Sequence, residues 1–377
     1  MTSNNKIWLS SPHISLNEQR YVNEAFKANW IAPVGPHIDA FENNLSKISN
    51  NYHVAALNSG TAAIHLALLV LGVKRNDNVI CSSFTFAAST NPIVYLGARP
   101  VLIDSEKETW NMCPNLLEKA IVELSAKNEK PKAIVLVHLY GCPAKLTEII
   151  SISKKYNIPI IEDAAEAIGS TFDDKPLGTF GDLGVFSFNG NKIITTSSGG
   201  ALISKNISFI KKAKFLATQA REDSPHYEHK EIGYNYRMSN VCAAIGLGQL
   251  EVLNKRVEKR RYIYDYYKNK LSEIKQIKFL DELPGYVSNR WLTTILFEEG
   301  AVIKRETVRL NLLKDNIESR PLWKPMHLQP VFKDCQVFEN GVSEDIFNRG
   351  LCLPSGSNMN DLDLNRVIEN IKTLHES

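Results

Sequence analysis

Through roughly residue 250 the chain alternates short apolar runs with helix-forming segments, and that rhythm limits the folds open to it. NVICSS at 78–83, RPVLIDS at 99–105, AIVLVHLY at 133–140 and IPIIED at 158–163 read as strands. Segments 61–71, 115–127 and 146–157 read as helices between or beside them. Such a β-α-β succession predicts an α/β fold with a mainly parallel sheet and helices on both faces. Ser15 followed by Glu18 predicts a capped helix through about Ala28. Residues 186–188 and 200–204 read as a strand pair around a loop. A single long helix is expected over 240–271, leading to a smaller α/β part with a strand at 291–297 and helices over 304–315 and 361–375. The expected division is a large domain over 1–250, its N-terminal segment free to pack on the small one, and a small C-terminal domain over 251–377.

With 44% hydrophobic and 23% charged residues over 377 positions, the composition is that of an ordinary water-soluble protein. A net charge of +3 on a chain of this length argues against nucleic acid or a membrane surface as partner. The basic clusters at 211–214 and 255–261 read as solvated helix faces. Cys81, Cys113, Cys142, Cys242, Cys335 and Cys352 show no paired spacing, so neither structural zinc nor a disulfide framework is expected. MTSNNKIWLSSPH has no signal-peptide core, and the longest apolar run, 62–73, is too short to span a bilayer. A cytoplasmic protein is the expectation.

Lys192 is the residue out of keeping with its surroundings. In SFNGNKIITTSSGG no opposite charge stands three or four residues away, and Phe186, Phe188, Ile193 and Ile194 read as buried. A lysine drawn inward loses hydration, so its pKa falls from about 10.4 and the neutral amine becomes a nucleophile. The plainer reading is a packed stem whose ammonium reaches water. Parallel sheets bind ligands beyond the carboxyl ends of their strands, which directs attention to four further places. Asn58-Ser59-Gly60-Thr61 opens a helix whose free N–H groups can cradle a phosphate, or is an ordinary N-cap. Asp163 ends an apolar strand, as a ligand or as a cap. Ser187 offers a hydroxyl beside the lysine. Phe86 could stack on a flat ring or pack in a core. Taken together, a phosphate cradle, a carboxylate, an aromatic face and an amine nucleophile are what pyridoxal phosphate requires.

LNSGTAAIHLAL, SSFTFAAS, IEDAAEAIGS, FSFNGNKIITTSSGG and GYNYRMSNVCAAIGLGQLE, in this order and spread over nearly the whole chain, resemble the motifs of the DegT/DnrJ/EryC1/StrS sugar aminotransferases. The resemblance implies a pyridoxal phosphate-dependent enzyme of the aspartate aminotransferase fold type I. It implies that Lys192 forms the Schiff base and Asp163 meets the pyridine nitrogen. Gly60, Thr61 and Ser187 would hold the phosphate, Phe86 would stack on the ring, and Glu166 would lie near the ring hydroxyl. Asn235 of GYNYR would reach the phosphate bound in the other subunit, so the active sites would be shared across a homodimer. Two departures from the common pattern stand out: Ser197-Ser198 where many members have Gly-Glu, and Glu166 where they have Gln or His. NGNKIITT, EDAAEA and RPLWKPMH are most similar to the subgroup that aminates C4 of a UDP-linked 4-keto-6-deoxy-N-acetylglucosamine for bacillosamine, with L-glutamate as donor. Related enzymes of legionaminic acid and perosamine synthesis share much of this pattern.

Asn29, Trp30, Ile31 and Ala32 resemble the family loop that covers the sugar. Arg320, Trp323 and His327 are candidates for the diphosphate and base, the alternative being a packed corner with the arginine paired to an acid. No metal is expected in the site. Three rival readings stay open. A sugar 3-dehydratase of this fold would lack the lysine. An enzyme of free amino acids would want an arginine for the substrate carboxylate and no nucleotide site. A non-catalytic sensor would have no need to keep amine, carboxylate and stacking face together.

Overall fold

Residues 5–376 are described by a computed structural model. Among them, strands β1 (His53–Leu57), β2 (Asn78–Ser82), β3 (Arg99–Ile103), β4 (Ala133–Val137), β5 (Ile160–Asp163), β6 (Thr171–Phe172), β7 (Lys175–Pro176), β8 (Leu183–Ser187) and β9 (Gly200–Ser204) precede β10 (Ile277–Phe279), β11 (Tyr286–Val287), β12 (Thr293–Phe297), β13 (Arg320–Pro321), β14 (Gln336–Phe338) and β15 (Gly350–Leu353). The helices are α1 (Asn17–Lys27), α2 (Pro36–Ile48), α3 (Gly60–Val70), α4 (Asn91–Tyr95), α5 (Pro114–Ala126), α6 (Leu146–Tyr156), α7 (Ile207–Ala217), α8 (Asn240–Leu250), α9 (Leu253–Leu271), α10 (Arg305–Lys314), α11 (Val342–Arg349) and α12 (Asp361–Glu376).

The main sheet has the order β1-β9-β8-β5-β4-β2-β3-β14. Only β9 runs against the others, pairing antiparallel with both β1 and β8. Alternate residues of each strand go to opposite faces, so Ile80, Ile134 and Ile203 join one core with α2, α5, α6 and α8, while Cys81, Val135 and Leu202 join another with α3 and α7. This is the expected α/β architecture. A second sheet, β10-β12-β15-β13, is antiparallel throughout and packs with α10, α12 and the end of α9. Ile7 belongs to that core and bridges to Ile317. No helix among the described residues is long and apolar enough to cross a membrane.

Two expectations need correction. The helix anticipated over 240–271 is two helices, because Val252 leaves the helical region at φ −113°, ψ 6°. The end of α8 is fixed by buried Gln249, whose Oε1 accepts from Thr195 N and whose Nε2 donates to His13 O. α9 can then depart in its own direction, with Leu253 in the main core and Tyr267 in the second. α2 was not anticipated at all, although Gly35-Pro36 marks its start and Ile38, Phe41 and Leu45 give it a buried stripe.

The parallel strands all end at one edge, which carries Asn58, Phe86, Tyr140, Asp163 and Ser187 within a few residues of strand termini. β9 must start its return there. Gly200 pairs with Leu57 on one side and Ser187 on the other. A Cβ at Gly200 would stand 2.3 Å from the Ser59 carbonyl carbon and 2.4 Å from Gly60 N, so the backbones meet with no space for a side chain. Gly200→Ala should therefore destabilise the protein by about 1–3 kcal/mol through overpacking. Thermal unfolding measures this, and a midpoint equal to the parent's would show that strand and helix cap can part freely.

Candidate active site

Helix α3 begins where β1 ends. Ser59 caps it, its Oγ accepting from Ala62 N at 3.1 Å, which leaves the N–H groups of Gly60 and Thr61 at the positive end of the helix. Ser187, the last residue of β8, comes against this end: a Cβ on Gly60 would lie 3.1 Å from Ser187 Cβ and 3.5 Å from its Oγ. The close fit between β9 and the cap creates that approach. Ser198 Oγ closes the same side by donating to Asn58 O at 2.8 Å.

Asp163 is buried at the end of β5. Its Oδ2 accepts from Ser89 Oγ at 2.6 Å, and its Oδ1 accepts from Ala165 N at 3.1 Å. The carboxylate thus caps a local turn and also lines a cavity, so the two readings of this residue are compatible. Lys192 extends from the loop between β8 and β9 with its side chain only 12% exposed. Its Nζ lies 3.5 Å from Glu166 Oε1 and 3.8 Å from the ring centroid of Trp291. Burial holds the amine below its ordinary pKa, while Glu166 and Asp163 pull it back upward. Burial also raises the Glu166 carboxyl, against the pull of Lys192 and of the Tyr140 N–H that donates to Oε2 at 2.6 Å.

Gly60, Thr61, Phe86, Asp163, Glu166, Ser187 and Lys192 line a single cavity of about 180 Å³. The chain segments that carry them span 60 to 192, so the convergence comes from the parallel strand ends. Phe86 stands at the mouth, 53% exposed, its ring 5.2 Å from that of Trp323. A second cavity adjoins, sharing Asn191, Trp291 and Trp323 with the first and adding Ser10, Arg320, Lys324 and Gln329.

The other sequence candidates are placed differently. Arg320 faces the second cavity, paired with Glu318 at 2.9 Å. Trp323 stands on the wall common to both. His327 lines neither; its Nδ1 is 2.6 Å from Ser83 Oγ. None of Asn29, Trp30, Ile31 and Ala32 lines the cavity of their own chain; Trp30 lines a separate cleft together with Lys214 and Arg237. Asn240 fixes that segment, donating through Nδ2 to Trp30 O and through its backbone N–H to Ala32 O, both at 2.9 Å. Asn235 is exposed and outside its own chain's cavity. Its Oδ1 accepts from Gln219 Nε2, and its carbonyl accepts from Asn58 Nδ2, both at 3.2 Å.

Three residues of the site escaped the sequence reading. Ser89 stands three positions after Phe86 in a hydroxyl-rich motif, which was a usable signal. Tyr140 was read as the end of a strand, but it turns into the left-handed region at φ 52°. Trp291 was also read as strand, and β12 starts only at Thr293. Among the described residues no cluster of His, Cys, Asp and Glu gathers to hold a metal.

This donor set fits pyridoxal phosphate: N–H groups and a hydroxyl for a phosphate, a carboxylate for a pyridine nitrogen, and an amine for an aldehyde. A sequence model of the DegT/DnrJ/EryC1/StrS aminotransferase family matches residues 12–372. EpsN of Bacillus subtilis (strain 168), provisionally named a pyridoxal phosphate-dependent aminotransferase, is 52% identical over 97% of this chain and 94% of its own. GDP-perosamine synthase of Escherichia coli O157:H7 is 36% identical over 97% of both chains. The PLP form of Spr1654 of Streptococcus pneumoniae, provisionally named a sugar aminotransferase, superposes with a TM-score of 0.90 at 28% identity, covering 99% of each chain.

Asp163→Asn keeps the shape and the turn but removes the charge. It should lower kcat by several orders of magnitude with the fold intact. Steady-state kinetics beside circular dichroism tests this: a loss within about tenfold, or about 1.4 kcal/mol in barrier, would reduce Asp163 to a turn cap.

Proposed function

The chain belongs to the DegT/DnrJ/EryC1/StrS aminotransferase family, and on that premise we propose that it moves the amino group of L-glutamate to C4 of a nucleotide-linked 4-keto-6-deoxy sugar. Pyridoxal phosphate as cofactor and a sugar as amino acceptor come with the family. The specific acceptor we propose is UDP-2-acetamido-2,6-dideoxy-4-keto-D-glucose, giving the UDP-4-amino sugar used in bacillosamine-type glycans. The observation that carries this reading is the pair of adjoining cavities. An amino acid alone would need no second chamber, whereas one lined by Ser10, Arg320, Lys324 and Gln329 can accept a sugar with its diphosphate. Motifs around Lys192, Asp163 and Arg320 supply the choice of UDP sugar.

When bound, the cofactor supplies an electron sink that allows a proton to leave the carbon bearing nitrogen. The chain supplies the rest. Gly60, Thr61 and Ser187 bind the phosphate, and Phe86 covers the ring face. Asp163, held by Ser89, would keep the pyridine nitrogen protonated, so that the ring can accept the electrons left by proton removal. Glu166 would lie beside the ring hydroxyl. Lys192 Nζ, its basicity lowered by burial, would take the proton from the α-carbon of glutamate in the first half of the reaction and deliver a proton to C4 of the sugar in the second. L-glutamate leaves as 2-oxoglutarate, and the amino nitrogen replaces the ketone oxygen of the sugar.

The proposal includes a homodimer in which Asn235 serves the site of the other subunit. Its exposed place outside its own cavity supports this. The sugar-covering role of Asn29, Trp30, Ile31 and Ala32 is proposed on the same footing, since they too stand outside it. So is a role for Arg320 and Trp323 at the second cavity, while His327 would act from behind Ser83. A division into parts 1–250 and 251–377 also belongs here, supported by the independent course of α9, with β14 reaching back to the main sheet. A second reading, the same reaction on a GDP-linked 4-keto sugar as in perosamine synthesis, is favoured by the 36% identity to GDP-perosamine synthase.

Purified protein given L-glutamate and UDP-, GDP- and dTDP-linked 4-keto-6-deoxy sugars should aminate the UDP-N-acetyl sugar with the highest kcat/KM. Preference for the GDP sugar would select the second reading, and turnover of free amino acids with none of the sugars would reject both. Mixing inactive Lys192→Ala protein with an inactive Asn235 variant should restore part of the activity, because one of the two sites in a heterodimer then draws lysine and asparagine from different parents and is intact. Heterodimers confirmed by mass that recover nothing would show that Asn235 does not cross the interface.

A further inference from the structure

The amine of Lys192 is the first member of an aromatic column. Behind Trp291 stands Tyr140, stacked at 6.2 Å and 25°, then Trp323 at 6.3 Å and 11°, and finally Phe86 tilted against Trp323. The column therefore starts at the nucleophile and ends at the ring proposed to cover the cofactor. Trp291 is 1% exposed and held at three points. Its N–H donates to Asn289 Oδ1 at 2.9 Å, its indole Nε1–H donates to Asn191 O at 2.7 Å, and its carbonyl accepts from the buried Arg260 guanidinium. Asn191 directly precedes Lys192, so one hydrogen bond ties the indole to the lysine loop. Tyr140 lies nearly parallel to the indole and itself occupies the left-handed region, its hydroxyl accepting from Trp323 N at 2.8 Å. An indole fixed so thoroughly, with its face toward an amine, is placed for more than filling space.

The chemistry asks two opposite things of Lys192. Its amine must be neutral to attack, yet positively charged during the interval in which it carries a proton. Burial serves the first demand and opposes the second. The groups that bear on the charged form are Asp163 at the end of β5 and Glu166 just beyond it; Arg260 on α9 is bonded to the carbonyl of Trp291. Glu166 stands 3.5 Å away, its own carboxyl pushed up by burial. Arg260 is itself a cation. An aromatic face attracts an ammonium without carrying a charge that must be desolvated, and the attraction is strongest for indole in a water-poor site.

We propose that Trp291 is a further catalytic residue of the transamination, its indole face holding Lys192 Nζ as an ammonium while that nitrogen carries the transferred proton. This rests on the assignment of Lys192 as the residue that binds the cofactor. Tyr140 and Arg260 are positioning residues that act through Trp291.

The test is a pH profile of the pyridoxamine phosphate form of the holoenzyme, in which the Lys192 amine is free: the single-turnover rate at which 2-oxoglutarate restores the visible band reports the protonation of that amine, for the parent, Trp291→Phe and Trp291→Leu. Loss of the π face in Trp291→Leu should move the midpoint to lower pH by about one unit, a tenfold change in proton affinity, and Trp291→Phe should move it about half as far. In both, kcat should fall more than the KM for glutamate changes. A purely structural tryptophan would lower the unfolding midpoint and leave the pH profile in place, and that result overturns the inference. If Trp291→Leu does not fold, an unshifted midpoint in Trp291→Phe overturns it equally. Lys192→Ala serves as the control: persistence of the visible band in that variant overturns the lysine assignment together with the role of Trp291, whereas its disappearance alongside unmoved Trp291 profiles overturns the role of Trp291 alone.

Discussion

Lys192 reaches the cavity because β9 turns back through the edge where the parallel strands end, and that return is possible only if Gly200 lies directly against the Ser59–Gly60 peptide. One contact thus serves two purposes. It brings the start of α3, with its free N–H groups, against the Ser187 hydroxyl, and it closes the sheet around the loop that carries the amine. Once the amine is inside, its surroundings follow from electrostatics. A buried amine needs polar surroundings, and the Glu166 carboxyl and an indole face stand beside it, while a buried carboxyl such as Glu166 needs a donor, which the Tyr140 N–H provides.

The parallel sheet was legible because strands buried on both faces leave an apolar signature that spacing alone reveals. That Lys192, Asp163, Gly60, Thr61, Ser187 and Phe86 line one cavity could be anticipated because each lies within a few residues of a strand end, whereas Glu166 was offered only by the family motif. What escaped depends on tertiary geometry. Trp291 comes from beyond α9 and meets the lysine only through packing, and a tryptophan before an apolar strand carries no mark of that role. Tyr140 could not be placed because a bulky residue gives no local sign of entering the left-handed region. The break at Val252 was hidden because α8 and α9 both have helix-forming sequences, and the fixed end of α8 is set by Gln249 reaching Thr195 and His13, partners 54 and 236 residues away.

The outer candidates show a different limit. Arg320 is paired with Glu318 and faces a cavity at once, so the packed-corner reading and the ligand reading describe the same side chain. An arginine presented by a neighbouring acid keeps free donors on its other edge, and this is how a guanidinium can be both held and available. Glu318 Oε2 also accepts from Leu9 N, which ties the N-terminal segment to the same wall. The second cavity thus joins the beginning of the chain to its middle and its last third, parts whose association no local pattern announces.

IIED presents two adjacent acids, and the structure shows why they have different fates. Neighbouring residues on a strand point to opposite faces, so only one can look toward the cavity. Glu162 is fully buried on the side away from it, where its Oε2 accepts from His138 Nε2–H and Gly178 N, both at 2.9 Å, and its Oε1 accepts from Phe180 N and Gly181 N. His138 Nδ1 accepts from Ala144 N at 3.2 Å, which places the ring proton on Nε2 and leaves the imidazole neutral. Four donors converging on one carboxylate make Glu162 a brace for the segments that follow β4 and precede β8. Among the described residues the Asp163 carboxylate has two protein donors, Ser89 Oγ and Ala165 N, and it lines the cavity with acceptor capacity left over. On the proposed function, that surplus of acceptors is what would separate a chemical role for Asp163 from the bracing role of Glu162.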